Sequence, residues 1–145
     1  MARVTTITQK TYIPAVAPEA VYDAFVNAKT HARFTGAAAT GVARVGARFT
    51  AWDGYIQGVH RKLVKGEQIV QDWRTTEWPA GMPDSSVEFT FKALKGGTEI
   101  RMVHSKVPAE QADSYRQGWT DYYWKPLEAY FSTIDGRSPL KKNDE

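Results

Sequence analysis

The sequence predicts an α+β fold, a curved antiparallel sheet wrapped on a long C-terminal helix with two short helices after the first strand. Three observations predict it. Between Glu110 and Ile134 apolar residues recur in steps of three and four, the period of a helix face. Between Arg48 and Lys106 short alternating runs are separated by Gly- and Pro-bearing turns, the pattern of an antiparallel meander. The remaining helical signals are confined to a short stretch behind the first strand, and such segregation of strands and helices is the mark of an α+β architecture.

Val4 to Ile13 is rich in Thr, Val, Ile and Tyr and reads as a strand. Pro14 ends it, and Pro18 suits the first turn of a helix, where its missing N–H is not needed. Val21, Ala24, Phe25 and Ala28 give that helix one apolar stripe. A second short turn is expected from Lys29 to Phe34, before Gly36. Arg48 to Trp52 reads as a strand, Asp53-Gly54 as a hairpin turn and Tyr55 to Val64 as the return. Lys65-Gly66-Glu67 turns the chain into Gln68 to Thr76. Pro79 and Pro83 cannot donate to a ladder, so the stretch around them is a loop. Ser86 to Leu94 puts Val87, Phe89, Phe91 and Ala93 on one face. After the Lys95-Gly96-Gly97 turn, Thr98 to Lys106 puts Ile100, Met102 and His104 on one face.

The long helix opens after Pro108. Its stripe comprises Ala112, Tyr115, Trp119, Tyr122, Tyr123, Leu127, Tyr130, Phe131 and Ile134. So many rings need a broad apolar partner, and a curved sheet supplies one. Two residues interrupt the helix. Gly118 costs about 0.5–1 kcal/mol relative to Ala, and Pro126 removes a hydrogen bond and kinks the helix at a cost of roughly 3 kcal/mol. One reading is a bend that follows the sheet, with the glycine allowing close backbone approach. The other is a kink and a missing side chain that shape a cavity mouth.

At 145 residues one domain with a real core is expected, residues 1–135, followed by a polar tail, residues 136–145. The excess of 19 basic over 16 acidic residues, scattered without a stripe, argues against nucleic acid as a partner. No Cys is present, which removes disulfides and thiolate metal sites and fits a reducing cytoplasm, the expected location. Met1 to Lys10 has no continuous apolar region and does not read as a signal peptide. No run approaches the ~20 apolar residues that span a bilayer.

Several segments together resemble a known family. They are Pro18-Glu19-Ala20-Val21-Tyr22-Asp23-Ala24-Phe25, the stretch from His31 to Gly36, and Gly46-Ala47-Arg48-Phe49 leading to Trp52-Asp53-Gly54-Tyr55-Ile56-Gln57-Gly58. Ile69-Val70-Gln71-Asp72-Trp73-Arg74, Trp78-Pro79, Val107-Pro108 and Gly118-Trp119 with Tyr122-Tyr123-Trp124 continue the match. Over about residues 5 to 131 the chain resembles the SRPBCC (START-like, helix-grip) superfamily. Within it, the chain is similar to the C-terminal domain of the activator of heat-shock-protein-90 ATPase. The resemblance implies a cavity between sheet and helix. Lipid and hormone carriers, aromatase/cyclases and co-chaperone domains share the superfamily. The co-chaperone's separate N-terminal domain, its main contact with the chaperone, has no counterpart in these residues, so a stand-alone domain is expected.

The polar residues give little catalytic chemistry. His31, His60 and His104 lie in separate segments without ligand spacing, so no metal and no cofactor is expected. They read as one surface or helix-end, one strand and one partly buried histidine. His104, on the face of Ile100 and Met102, points toward core or cavity and needs a partner there. Asp72 and Glu77, which flank Trp73-Arg74, and Asp53, in a turn, read as solvated charges. Ser85, Ser86 and Ser105 have no evident His partner, and Gly-x-Ser-x-Gly is absent. The aromatic set remains. Trp73 (with Gln71 on its face), Phe89, Phe91, Met102, His104, Trp119 and Tyr123 are the candidate cavity residues. Trp124, off the main stripe, is the candidate for an exposed protein contact.

Three functions follow. The first is a non-enzymatic domain holding an apolar or aromatic small molecule or lipid. The second is a co-chaperone-like partner that stimulates the heat-shock-protein-90 ATPase, and the third a cyclase- or hydrolase-type enzyme.

Overall fold

The computed structural model describes residues 3–133. Ile134 and the expected tail lie outside the described residues. The elements run β1 (Val4–Ile13), α1 (Pro18–Val26), α2 (Ala28–Thr35), β2 (Arg48–Ala51), β3 (Ile56–Val64), β4 (Gln68–Thr75), β5 (Ser85–Leu94) and β6 (Gly97–Pro108). A 3-10 turn (Ala109–Gln111) leads into α3 (Ala112–Trp119), a π turn (Thr120–Trp124) and α4 (Lys125–Phe131). One six-stranded sheet has the order β1-β6-β5-β4-β3-β2, every pairing antiparallel. The sheet curves around the C-terminal helical segment.

Local chemistry explains the short helices. Pro18 sits in the first turn of α1. Asn27 caps α2, its Oδ1 accepting from the Lys29 and Thr30 N–H groups at 3.0 and 3.3 Å. Gly36 ends α2 with φ +80°, a conformation glycine adopts without steric cost. The strands bury the faces their alternation predicts: Val87, Phe89 and Phe91 from β5, and Ile100, Met102 and His104 from β6. Ala93, expected on the same face, is exposed.

The long helix departs from a regular α-helix at its centre. Pro126 has no N–H to give to the carbonyl four residues back, and its ring crowds that carbonyl. The chain answers with one wider turn, in which the Lys125 N–H bonds to the Thr120 carbonyl. That turn shifts the phase of the stripe. Ala112, Tyr115 and Trp119 are buried before it, and Tyr123, Trp124, Leu127 and Phe131 within and after it. Trp124, expected off the stripe and exposed, is therefore only 7% exposed. It stacks on Trp119, with ring centroids 5.8 Å apart, and its Nε1 donates to Gln9 Oε1 at 2.7 Å. Tyr122, expected on the stripe, is 56% exposed.

Candidate functional site

A cleft of about 460 Å³ opens between the helical segment and the β2–β3 end of the sheet. Trp52 and Tyr55 from the β2–β3 turn, Ile56 from β3 and Trp73 from β4 form one wall. Ser114, Tyr115, Gly118, Trp119, Tyr122 and Tyr123 form the other. The volume lies in the roughly 300–1,000 Å³ range of small-molecule sites. No Asp, Glu, Lys or Arg contributes to the lining.

Trp73, Trp119 and Tyr123 are cleft residues, as the sequence suggests. The structure does not bring the other five candidates to its lining. Gln71, Phe89, Phe91, Met102 and His104 are buried in the core. Phe91 packs under α1, against Tyr22 and Phe25, and Phe89 packs on Phe25, with centroids 4.5 Å apart. Their strand positions share the concave face, but the helices cover them. Trp52 and Tyr55 are cleft residues that the sequence reading missed. Each flanks the Asp53-Gly54 turn, and an aromatic on both sides of so tight a turn is the signal that could have found them.

The turn itself is unusual. Trp52, Asp53 and Gly54 are all left-handed, with φ of 53°, 59° and 89°. A bulky residue in that region is strained. The Asp53 N–H donates to the Ala38 carbonyl at 3.0 Å, and its Oδ1 accepts from the Ala38 N–H at 2.8 Å. These bonds anchor the turn to the loop after α2. The Trp52 ring meets Tyr122 edge-on, with centroids 5.3 Å apart. Its Nε1 is buried without a hydrogen-bond partner among the described residues. It faces the Tyr123 hydroxyl but does not reach hydrogen-bonding geometry.

Behind the wall lie two polar chains that fix the protonation of their histidines. The Trp119 Nε1–H donates to His104 Nδ1 at 3.1 Å. His104 Nε2 therefore carries the proton and donates to Ser85 Oγ at 2.8 Å. Ser85 donates onward to the Trp73 carbonyl at 2.8 Å. Ser85 thus has a His partner, contrary to the sequence reading. Its proton is already given to a carbonyl, and the ring nitrogen facing it is a donor, so the pair cannot act as nucleophile and base. Burial pushes His104 down to about 3.

The second chain joins α2 to the π turn. The Phe25 carbonyl can only accept, so His31 Nδ1 donates to it at 3.0 Å. His31 Nε2 then accepts from the Tyr123 hydroxyl at 2.9 Å. Burial pushes His31 down to about 4 and raises Tyr123. His60 is also buried. It is stacked on Phe49 at 4.9 Å, and its Nδ1 has no partner among the described residues. None of the three is a surface histidine. Among the described residues, no three of His, Cys, Asp and Glu come together in a way that could hold a metal ion.

The other tyrosines are also engaged. The Tyr115 hydroxyl donates to Gln111 Oε1 at 2.6 Å and lies 2.7 Å from Thr75 Oγ1. The Tyr55 hydroxyl donates to Glu77 Oε1 at 2.5 Å, and burial is the largest of the effects that raise its pKa. Asp72 pairs with Arg61 at the surface.

Gly118 bears on both readings of the interrupted helix. A Cβ built there meets only Tyr122 Cδ2, at 3.7 Å, which is ordinary contact. No close backbone approach requires the glycine, and the bare position lines the cleft. Gly118→Ala is therefore expected to stabilise the protein by about 0.5–1 kcal/mol while narrowing the cleft. Urea denaturation of both proteins checks the gain.

Residues 15–132 match the family described as "Activator of Hsp90 ATPase homolog 1-like protein". The human activator of 90 kDa heat shock protein ATPase homolog 1 is 34% identical over 114 residues, which cover 79% of this chain and 33% of that protein. The chain thus spans about a third of the length of the curated relatives it matches. Among solved structures, an HSP90 activator from Plasmodium falciparum superposes with a TM-score of 0.77 at 26% identity, over 89% of this chain and 96% of that one. The Aha1 dimer from Colwellia psychrerythraea shares the fold, with a TM-score of 0.74 at 15% identity over 92% and 99% of the two chains. The helix-grip fold implied by the resemblance is the fold observed. No helix among the described residues is long and apolar enough to cross a membrane. With that match over most of its length, the chain belongs to the Activator of Hsp90 ATPase homolog 1-like family.

Proposed function

We infer that this chain is a non-enzymatic binding module, one domain over residues 1–135, that takes an apolar or aromatic small molecule or a lipid into the cleft. The observation that carries this reading is the hollow of about 460 Å³ walled by Trp52, Trp73, Trp119 and Tyr123. Apolar walls with a few fixed polar tips are what such a ligand requires. The cyclase or hydrolase reading finds no acid or base among the described residues that line the cleft. His31 and His104 each have both ring nitrogens engaged, and the lining carries no carboxylate. Native mass spectrometry of the freshly purified chain tests the proposal. The expected spectrum contains a heavier population that returns to the chain's own mass on denaturation. The bare mass alone would contradict it.

A second reading, a co-chaperone-like partner of a heat-shock-protein-90 chaperone in the cytoplasm, is favoured by the relatives. The human protein at 34% identity is described as an activator of that chaperone's ATPase, and the Plasmodium structure as an HSP90 activator. Addition of the purified chain to a chaperone ATPase assay would raise the turnover under this reading. It would leave it unchanged under the first.

A further inference from the structure

We propose that the cleft takes a quaternary ammonium, a soft cation coated in methyl groups, held by its aromatic walls. The proposal rests on the binding-module reading above and names the chemical class of the guest.

The walls form a box of rings. Seven of the ten lining residues are aromatic, three Trp and four Tyr. Trp73 and Tyr115 stand at 88°, with centroids 5.4 Å apart, and Trp52 and Tyr122 at 69° and 5.3 Å. Trp119 is tilted by 34° from Trp73 and by 42° from Tyr123. Rings at such angles surround a rounded guest. The quadrupole of a ring attracts a cation within about 6 Å of its centroid. No Lys or Arg contributes to the lining, so none of the chain's own cations takes this place.

The charge beside the lining has the matching sign. The Glu77 carboxylate accepts from the Tyr55 hydroxyl at 2.5 Å. Burial first, and the charge of Glu77 after it, raise both Tyr55 and Tyr115. This one carboxylate therefore acts on two lining residues. Among the described residues Glu77 forms no ion pair, whereas Arg116 and Lys125 of the helical segment are paired with Asp113 and Asp121.

The lining also separates one ammonium from another. A primary ammonium brings three N–H donors that need acceptors, and no carboxylate lines the cleft to receive them. A quaternary ammonium has no N–H, and its methyl groups give the walls apolar surface to bury. Ser114 and Tyr122, the two exposed residues of the lining, supply hydroxyls for a polar group of the guest.

The test uses the full chain at low salt and three probes. They are choline, its neutral carbon isostere 3,3-dimethylbutan-1-ol, and ethanolamine, which keeps the charge and lacks the methyl groups. Proton–nitrogen NMR follows the backbone and the indole signals of the five tryptophans. Choline is expected to bind about tenfold tighter than either of the others, with shifts gathered at Trp73 and Trp119. Glu77 and Tyr122 are both exposed, so their replacement leaves the core intact. Glu77→Gln and Tyr122→Leu should each lower the choline-to-isostere affinity ratio about threefold. Equal affinity for choline and its isostere, or tightest binding of ethanolamine, would overturn the cation class and leave the hollow standing. Binding of naphthalene without binding of choline would do the same. A ratio unchanged in both variants would put the cation outside this cleft and overturn the proposal. Binding of no probe, naphthalene included, would overturn the cleft reading as well.

Discussion

Between pH 7 and 4.5 the folded protein is expected to lose about 5 kcal/mol of stability from two histidines alone. His31 is held at about 4 and His104 at about 3, against 6.5 in the unfolded chain. Burial is the main cause for each, because the core disfavours the imidazolium. Well above pH 6.5 both states are neutral and stability does not depend on these groups. Below it the unfolded chain takes up protons that the folded protein refuses. Stability therefore falls with falling pH, and the loss levels off only below the folded values of about 4 and 3. Each histidine contributes a slope approaching ~1.4 kcal/mol per pH unit. A typical domain has only about 5–15 kcal/mol to lose, so acid unfolding near pH 4–5 is expected. Urea denaturation across the pH range measures it. His104→Gln should remove one histidine's share, up to ~1.4 kcal/mol per pH unit, from the slope between pH 6 and 4.5, whatever its effect at neutral pH. A stability constant from pH 7 to 4.5 would show that these rings are solvated or charged in the fold.

Trp119→Ala is expected to cost about 3–5 kcal/mol. The ring is 4% exposed and touches Trp73, Phe89, Tyr123 and Trp124. It joins the cleft wall to the core behind it. Its loss also leaves His104 Nδ1 buried without its donor, and an unsatisfied buried acceptor costs about 1–3 kcal/mol by itself. Trp119→Phe separates the two effects, since most of the area stays while the hydrogen bond goes. The alanine variant should show a large drop in denaturation midpoint and the phenylalanine variant a smaller one. An unchanged midpoint in Trp119→Ala would contradict the orientation of the helix on the sheet.

The sequence makes the scaffold legible because its periods are clean. β1 runs from Val4 to Ile13 as the Thr-rich pattern indicates, and the alternation of β5 and β6 assigns Val87, Phe89, Ile100, Met102 and His104 to the buried face. The helix stripe holds through Trp119 and again at Tyr123, Leu127 and Phe131. Two residues depart from it where the backbone absorbs Pro126, since one wide turn places Trp124 inward and Tyr122 outward. A period of 3.6 carries no information about such a turn. The cleft is only partly legible for a related reason. Residues on one face of a strand share an orientation, yet which of them a helix covers is decided by tertiary packing. Phe89 and Phe91 fall under α1, and His104 behind Trp119. Trp73 alone of the strand candidates reaches the open space. Trp52 and Tyr55 reach it from a turn, where periodicity assigns no face. The Ser85–His104 pair shows the same limit, since its members lie on adjacent strands and only the register brings them together.

The central claim is that a ring-walled hollow lies ready between the C-terminal helix and the β2–β3 turn. Titration of the folded chain with naphthalene, followed by backbone and indole NMR in wild type and Gly118→Leu, tests it most directly. The account predicts shifts gathered at Ile56, Trp73, Gly118, Trp119 and Tyr123 in the wild type. It predicts their loss in Gly118→Leu, whose side chain would fill the hollow while the rest of the spectrum stays that of a folded protein. Shifts absent from these residues in the wild type, or persisting undiminished in the leucine variant, would contradict it.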